Sequence, residues 1–447
     1  MMQDNESEFK KKYVYIFCFF YTVQGLYNGI QWIILPIYLI TVVENIDFAT
    51  ILQIFSIAIL PWSLKFLIGL INDKFGSKKY GRRKPWIFAF GIWTALSFII
   101  TGIGLNLIEG NAILSFMLIC SLMWNIGFAI ADTALDGLIL DVTPKDYLGK
   151  VQGYTWSMNT AFYMAGGIIL GLVFFILNAI PLLFIVEGIL VFIACAFPFY
   201  IKETPLSKEI KVLRNLKKII INRTNWKVLI FSFIDSIPYS IVSLAYGLLV
   251  IIYMPNSPIE AQVTSLSLTS ESLDLFIIYS ILGALGGVGV IVGCVITGKI
   301  ADIKRRSAVF LAQIMYIPFL CISVLFRGPI FLGIVMMIIL GIGQGAITTS
   351  YQAIRGDIAK NYPEMDSTYY ALIVSFLNGG QMFGYALSAL LLTVFSKYFF
   401  EFYLIYFWII IIMAGFQTLS LLVFLTINPT EYEFSRNLES KSQKGEI

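Results

Sequence analysis

The 447-residue sequence contains no histidine and few charged residues. Without histidine the usual proton shuttle is absent, so any proton chemistry must use carboxylates. Charged residues make up only 13% of the chain and hydrophobic residues 58%, whereas soluble domains carry about 25% charged residues. This composition predicts an integral membrane protein.

Other absences narrow the function. The five cysteines all fall in apolar runs, which disfavours both a disulfide framework and a zinc site. No Walker loop is present, so ATP is not expected to drive this chain, and no catalytic signature or cofactor motif appears. The polar start MMQDNESEFKKK precedes an apolar run too long for a cleavable signal. We therefore expect a non-enzyme without cofactor or metal.

Spanning the hydrocarbon takes about 20 helical residues, and that length predicts an all-α membrane protein of twelve helices. They lie near 13–43, 49–72, 86–107, 112–140, 148–177, 180–201, 228–255, 274–299, 307–326, 329–356, 368–396 and 402–427. The predicted organisation is two pseudo-symmetric six-helix bundles, 1–202 and 228–429, with a linker at 203–227 and a tail at 430–447. Apolar spacing in the linker predicts an amphipathic surface helix.

Lysine and arginine predict the orientation. With both termini in the cytoplasm, every lysine and arginine except Lys65, Arg327 and Lys397 lies on the cytoplasmic side. Such an imbalance follows the positive-inside rule. Because the charges sit in short loops, the net charge of +4 does not indicate a nucleic-acid partner.

Two pairs of loops repeat between the halves. The stretch GLINDKFGSKKYGRRKPW follows the second helix, and its Gly-x-x-x-Asp pattern ending at Asp73 recurs after the eighth helix, ending at Asp302. Asp141 and Asp357 also fall in matching places after the fourth and tenth helices. Repeated halves of this kind are common in secondary transporters.

The first loop resembles, position by position, the loop between helices 2 and 3 of the major facilitator superfamily, and the second copy lacks its second glycine. The resemblance covers essentially the whole chain. It implies that Asp73, Arg82 and Arg83, and with less support Asp302, form a cytoplasmic latch that favours the outward-facing state. A carboxylate near a helix end can pair with guanidinium groups in a partly desolvated crevice.

Short words in the sequence resemble several branches of that superfamily. YTVQGLYNG, LPWSLKF and GRRKPW are similar to the muropeptide-permease and acetyl-CoA-transporter branch. The same words, together with ADTALDG and VQGYTWS, also resemble folate–biopterin transporters, and GRRKPW with LDVTPKDYLGK is similar to glycoside cation symporters. The first branch is preferred and the others remain open.

Polar residues form one-sided stripes on four predicted helices. The stripes are Tyr21, Gln24, Asn28 and Gln31 on helix 1; Asn125, Asp132 and Asp136 on helix 4; Asp235, Tyr239, Ser243 and Tyr246 on helix 7; and Gln344, Thr348, Tyr351 and Arg355 on helix 10. Helices 3, 6, 9 and 12 carry almost none. Because polar groups in lipid are costly, the stripes predict an aqueous solute pathway, although each residue alone could bond helices together.

The residues near the middle of these helices are candidates for binding the solute. They are Gln24, Asn28, Gln31, Asn125, Tyr239, Tyr246, Gln344 and Thr348. Amide groups beside aromatic faces suit a polar organic solute with some flat or apolar surface.

Charges inside the spans are candidates for coupling. Lys65 lies eight residues before Asp73, about 12 Å into the membrane at 1.5 Å per residue, at a depth similar to Asp132 and Asp136. We expect Lys65 to pair with one of them, either as a fixed ion pair or as a pair that loads a proton or sodium ion. Asp235 is the matching candidate in the second half.

Arg355 lies near the cytoplasmic end of helix 10, while Asp136 and Asp141 end helix 4. We predict that Arg355 pairs across the halves with one of these carboxylates and closes the inner mouth. The alternative is a local pair with Asp357.

Together these features predict a secondary transporter of a small organic solute that works by alternating access with proton or cation symport. The alternatives are an uncoupled facilitator, or a receptor or lipid scramblase on the same fold. The expected partners are the solute, a proton or sodium ion and membrane lipids, and a monomer is expected. The sequence places the chain in the plasma membrane or an internal membrane.

Overall fold

A computed structural model gives the fold of the protein. It describes residues 12–43, 46–77, 79–143, 145–203, 217, 219–254, 260–262, 267–269, 273–325, 329–360, 366–430 and 432. Most of the predicted linker and tail, and the amphipathic helix expected there, lie outside the described residues. Long apolar segments form helices because lipid offers no hydrogen-bond partner to the backbone, and a helix satisfies its own.

The helices confirm an all-α membrane protein. In chain order they are α1 (Lys12–Gly29), α2 (Leu35–Val42), α3 (Phe48–Ala58), α4 (Leu60–Ser63), α5 (Lys65–Lys74), α6 (Lys84–Gly104), α7 (Ala112–Val142), α8 (Lys145–Ile176), α9 (Ile180–Ala196), α10 (Arg223–Ser236), α11 (Tyr239–Tyr253), α12 (Leu273–Ile303), α13 (Arg305–Ser323), α14 (Ile330–Lys360), α15 (Asp366–Phe395) and α16 (Phe402–Leu425). Within the described ranges, nine helices are long and apolar enough to cross a membrane. The other three predicted spans coincide with α3–α5, α10–α11 and α15.

Three of the predicted spans are interrupted in the structure. A π-helical turn, Ile30–Ile34, separates α1 from α2, and Pro36 is the second residue of α2. Pro61 lies at the start of the short α4, and Pro238 precedes α11. Proline lacks an N–H and clashes with the preceding turn, so it breaks or kinks a helix. The interruptions therefore follow the sequence locally.

The chain divides into two compact units. The first comprises Met1–Glu44 and Ile57–Val212, and the second comprises Asn45–Ser56 and Leu213–Ile447. Most of α3 thus groups with the second unit, where the Ser56 hydroxyl donates to the Met382 carbonyl at 3.0 Å.

A small antiparallel sheet also belongs to the second unit. Its strands are β1 (Ile46–Asp47), β2 (Glu260–Gln262) and β3 (Ser267–Thr269), in the order β1-β3-β2. Leu268 of β3 lies opposite Ile46 of β1 on one side and opposite Ala261 of β2 on the other.

Within the second unit, α12 and α14 approach each other closely. A Cβ at Gly289 would lie 2.2 Å from the Ile338 carbonyl oxygen, and one at Gly293 would lie 2.0 Å from that of Ile342. Only glycine allows backbones this near, as is common between membrane helices.

Candidate functional site

Three charged side chains form a cluster inside the first unit. The Lys65 ammonium, at the start of α5, donates hydrogen bonds to Asp132 Oδ2 and, at 3.1 Å, to Asp136 Oδ2. The two aspartates lie one turn apart on α7 and so face the same side. The predicted pairing of Lys65 is confirmed, and it engages both carboxylates rather than one. We call these three residues the charged cluster.

Helices α1 and α8 complete the hydrogen bonding of the charged cluster. The Tyr21 hydroxyl donates to Asp136 Oδ1 at 2.5 Å, and Gln24 Nε2 donates to Asp132 Oδ1 at 2.8 Å. Asn159 Nδ2 in turn donates to Gln24 Oε1 at 2.9 Å. The sequence stripes did not include Asn159, although Gln152, Thr155 and Asn159 recur at helical spacing on α8. The polar chain therefore joins four helices.

The two carboxylates of the charged cluster differ in access to solvent. The side chain of Asp132 is 4% exposed and that of Asp136 is 38% exposed, while that of Lys65 is 10% exposed. Two ionised carboxylates beside one ammonium leave a net charge of −1 in a largely buried place. Asp136 is the more accessible of the two carboxylates.

A second, uncharged cluster links α1, the π-helical turn, α4 and α7. The Asn125 side-chain oxygen accepts hydrogen bonds from the Tyr27 hydroxyl at 2.5 Å and from Trp62 Nε1 at 2.7 Å. The Asn125 Nδ2 group donates to the Gln31 Oε1 atom at 3.0 Å, and that oxygen also accepts from Trp124 at 3.3 Å. We call these five residues the amide cluster.

The hydrogen bonds fix how the amide groups point. Asn125 Nδ2 and Trp124 Nε1 both donate to Gln31 Oε1. Flipping the Gln31 amide would place its NH2 group against these two donors, which is unfavourable. Its Nε2 atom is buried and has no hydrogen-bond partner within the described residues. Gln31 lies in the π-helical turn, a feature often located at functional sites. Asn28, one turn earlier, is half-buried.

The second unit holds a buried ion pair. Arg355 on α14 donates to Asp235 Oδ2 at 2.8 Å and to the Ser232 hydroxyl at 3.0 Å, both on α10. Gln417 Nε2 donates to the other oxygen of Asp235 at 3.2 Å. The guanidinium carbon also lies 4.9 Å from the centre of the Phe231 ring. The positive charge of Arg355 thus balances the negative charge of Asp235, and both carboxylate oxygens accept a hydrogen bond.

This pair corrects the predicted partners of Arg355. It was expected to bond with Asp136 or Asp141, or alternatively with Asp357. The structure gives it Asp235 instead, because α10 and α14 both belong to the second unit and carry the two groups at facing positions. Asp357 accepts from Arg305 at 2.8 Å.

The four other predicted binding residues of the second unit differ in exposure. Tyr239 is 44% exposed and its hydroxyl is hydrogen-bonded to Gln344. Gln344 and Thr348 are half-buried. Tyr246 is fully buried, with its ring centre 6.2 Å from that of Tyr406. Ser243 has its side chain outside the described residues.

The loop after α5 is bonded to the end of α7. Arg82 donates to both oxygens of Asp141 at 3.0 and 2.8 Å, and Arg83 Nε donates to one of them at 3.3 Å. Arg305 and Asp357 form the corresponding contact in the second unit. The side chains of Asp73 and Asp302, the remaining predicted latch residues, lie outside the described residues.

One partner of this loop was missed by the sequence analysis. Glu203, which follows α9, accepts hydrogen bonds from the backbone N–H groups of Arg82 at 2.7 Å and Arg83 at 2.9 Å. It is 121 residues from Arg82, and no motif in the sequence pointed to it. We call Arg82, Arg83, Asp141 and Glu203 the loop cluster.

Curated relatives resemble this chain over part of their length. The membrane protein YBR220C of Saccharomyces cerevisiae is 30% identical over 35% of this chain and 31% of its own. A protein of Arabidopsis thaliana named probable folate-biopterin transporter 4 is 25% identical over 45% of this chain and 40% of its own. The chain thus matches less than half the length of each of these relatives.

Solved structures match over nearly the whole fold. A bacterial homologue of the human lysosomal transporter Spinster aligns with a TM-score of 0.62 and 12% identity, covering 95% of this chain and 98% of its own. The nucleoside transporter NupG aligns with a TM-score of 0.65 and 12% identity, covering 93% and 99%. At this identity the likeness shows a shared fold.

The family model described as Major Facilitator Superfamily matches residues 17–363 and 290–445, which together span most of the sequence. This match and the likeness to transporters of the same architecture indicate a membrane transporter rather than an enzyme. The fold expectation drawn from the loop motif is thereby confirmed, while the branch is not decided. The chain belongs to the major facilitator superfamily.

Proposed function

We propose that the protein moves a small organic solute across its membrane by alternating access, in symport with a proton or another monovalent cation. The charged cluster is the observation that carries this proposal. Lys65 and Asp132 are buried and Asp136 is partly exposed, α1 donates hydrogen bonds to both carboxylates, and two carboxylates face one ammonium. We also propose that both termini face the cytoplasm.

Charge balance is the physical basis for coupling. Buried charge in a membrane protein is expensive unless it is paired, and one ammonium balances only one of the two carboxylates. Binding of a proton or sodium ion at Asp136 brings the cluster to neutrality. When the site is closed off from water during the transport cycle, a neutral cluster costs less electrostatic free energy than a charged one. Lys65 and Asp132 are the fixed partners in this scheme.

Asp235 was the third candidate for coupling and is a weaker one. Its charge is already balanced by Arg355, and the two side chains are 7% and 2% exposed. A cation that bound there would first have to break this pair. We therefore propose that Asp136 binds the coupled cation and that Asp235 has a structural role.

Polar residues within each unit suggest the character of the solute. In the first unit, Gln31 has a hydrogen-bond donor without a partner among the described residues, and its oxygen accepts from Trp124 and Asn125. Tyr239, Gln344 and Thr348 are accessible in the second unit. These groups fit a solute with hydrogen-bonding atoms on a flat or partly apolar frame. The Arabidopsis relative's name makes pterins and folates suitable members of a test panel.

Uptake into liposomes containing the purified protein tests the proposal. The panel would comprise coenzyme A esters, amino-sugar peptides, pterins, sugars and nucleosides, each with an imposed proton gradient, an imposed sodium gradient, or neither. Solutes that bind the folded protein also raise its melting temperature, which identifies them independently. We expect one class to accumulate only when a cation gradient is present.

Variants decide the coupling site. Asp136→Asn is expected to retain solute binding while uptake loses its dependence on the gradient. Glu109→Gln, which alters an exposed loop carboxylate, is the control and should behave as the natural protein does. Uptake that remains equally gradient-dependent in Asp132→Asn, Asp136→Asn and Asp235→Asn would exclude all three. Uptake that ignores both gradients in the natural protein would instead indicate an uncoupled facilitator.

A further inference from the structure

Glu203 makes an unusual contact with the loop that follows α5. Its Oε1 atom accepts hydrogen bonds from two successive backbone N–H groups, those of Arg82 and Arg83. Successive N–H groups that converge on one acceptor form a small anion-binding concavity. Here the anion is the Glu203 carboxylate of the same chain. Glu203 is the first residue of the predicted linker.

The loop is shaped to receive this carboxylate. Gly81 has a φ of +93°, a conformation that favours glycine. A Cβ at Gly81 would lie 2.1 Å from Glu203 Oε2, so a larger residue would collide with the carboxylate. Ser77 and Gly81 exchange two backbone hydrogen bonds, at 2.9 and 3.0 Å, which close the turn. The turn and its glycine therefore leave room for the carboxylate in its observed position.

Further bonds hold the same stretch of chain. Lys84 Nζ donates to the Ile201 carbonyl at 2.8 Å, and the Lys202 backbone N–H donates to the Tyr13 hydroxyl at 3.3 Å. The two residues that precede Glu203 are thus bonded to the start of α6 and to α1.

The Glu203 contact is only half satisfied. In the part of the chain that the structure describes, Oε2 is buried without a hydrogen-bond partner. A buried polar atom left unpaired costs free energy, so this contact is less stable than a fully bonded one. Such a contact can form and break within a transport cycle more readily than a saturated one.

We propose that Glu203 is a positioning residue that couples the start of the linker to the loop cluster. By holding the backbone of Arg82 and Arg83, it places their guanidinium groups on Asp141 at the end of α7. The inference rests on the proposed function, because α7 also carries Asp132 and Asp136. When Glu203 leaves, Arg82 and Arg83 lose their alignment, and the end of α7 is freed.

Hydrogen exchange on the full-length protein in lipid nanodiscs tests this inference without a solute. The two segments to follow are the loop, 79–84, and the end of α7, 136–143. The variants are Glu203→Ala, Asp141→Asn and the double variant, with Glu109→Ala as a control that removes an exposed carboxylate from another loop. Melting temperatures confirm that each variant is folded.

We expect Glu203→Ala to speed exchange about tenfold in both segments, in line with the loss of hydrogen bonds to a charged group. Because Glu203 acts on α7 through Asp141, the double variant should exchange in 136–143 no faster than Asp141→Asn alone. Glu109→Ala should change neither segment.

Two results would overturn the inference. Faster exchange confined to 79–84 would make Glu203 a local cap of the loop. Effects of Glu203→Ala and Asp141→Asn that add in 136–143 would show independent roles. If Glu203→Ala does not fold, Glu203→Gln keeps the Oε1 acceptor but removes the charge, and we expect intermediate exchange in both segments. If 136–143 in Glu203→Gln exchanged at the same rate as in the natural protein, that result would contradict the inference. None of these readouts requires transport, so failure of the proposed function remains a separate result.

Discussion

The guanidinium of Arg355 lies 2.8 Å from Asp235 Oδ2, with the two side chains 2% and 7% exposed. The same guanidinium contacts the Phe231 ring, and Gln417 bonds the second carboxylate oxygen. Each charge is therefore compensated within the second unit. The charged cluster of the first unit has no such balance, since two carboxylates share one ammonium. This asymmetry separates a structural pair from a candidate coupling site.

Removing one partner of the Arg355–Asp235 pair should destabilise the protein more than removing both partners. Arg355→Met leaves Asp235 as an uncompensated buried charge, a loss of about 3–5 kcal/mol. Asp235→Asn leaves the guanidinium in the same situation. In the double variant neither charge remains, so we expect its melting temperature to lie above that of either single variant. Additive losses in this double-mutant cycle would show that the two groups do not act as a pair.

Lys65 should be far more sensitive than lysines elsewhere. Lys65→Met leaves Asp132 and Asp136 side by side without a cation, and we expect a large fall in melting temperature, equivalent to about 3–5 kcal/mol. Lys299→Met is the matched control, because Lys299 is exposed near the end of α12 and should change stability by less than about 0.5 kcal/mol. Equal effects of the two substitutions would mean that Lys65 is not compensating buried charge.

Asn125 should be the most sensitive member of the amide cluster. Replacement by leucine leaves three groups without their partner: the Tyr27 hydroxyl, the Trp62 N–H and one acceptor site of Gln31. Each unsatisfied buried group costs about 1–3 kcal/mol. Asn106→Leu is the control, since Asn106 is exposed and bonds only its own helix at the Gly102 carbonyl. A melting temperature as high for Asn125→Leu as for Asn106→Leu would contradict this account.

The sequence was sufficient for the membrane class, for the helices and for the partner of Lys65. Depth along a helix can be counted from residue numbers, and it placed Lys65 level with Asp132 and Asp136. Depth does not give the partner of a charge when several carboxylates lie at similar heights. For that reason Arg355 was assigned to Asp136 or Asp141, whereas the structure pairs it with Asp235.

Contacts made by backbone atoms were beyond the sequence analysis. Glu203 is recognised by two N–H groups rather than by side chains, so no residue type marks the contact. Asn159 could have been found from the sequence, because with Gln152 and Thr155 it forms a row at helical spacing on α8 that the stripes left out. The helix breaks at Pro61 and Pro238 could have been predicted, because proline disfavours a helix beyond its first turn, although α13 continues through Pro318.

Two glycines of α12 should respond in opposite directions to the same added methyl group. At Gly293 a Cβ would lie 2.0 Å from the Ile342 carbonyl oxygen, whereas at Gly283 no atom lies within 4 Å. Gly293→Ala therefore forces α12 and α14 apart, and overpacking of this kind costs about 1–3 kcal/mol. Gly283→Ala only reduces the freedom of the unfolded chain and should stabilise the protein by about 0.5–1 kcal/mol. Melting temperatures of the two variants in one detergent provide the comparison. Stabilisation by both would show that helix propensity and chain flexibility, rather than the contact with α14, govern this helix.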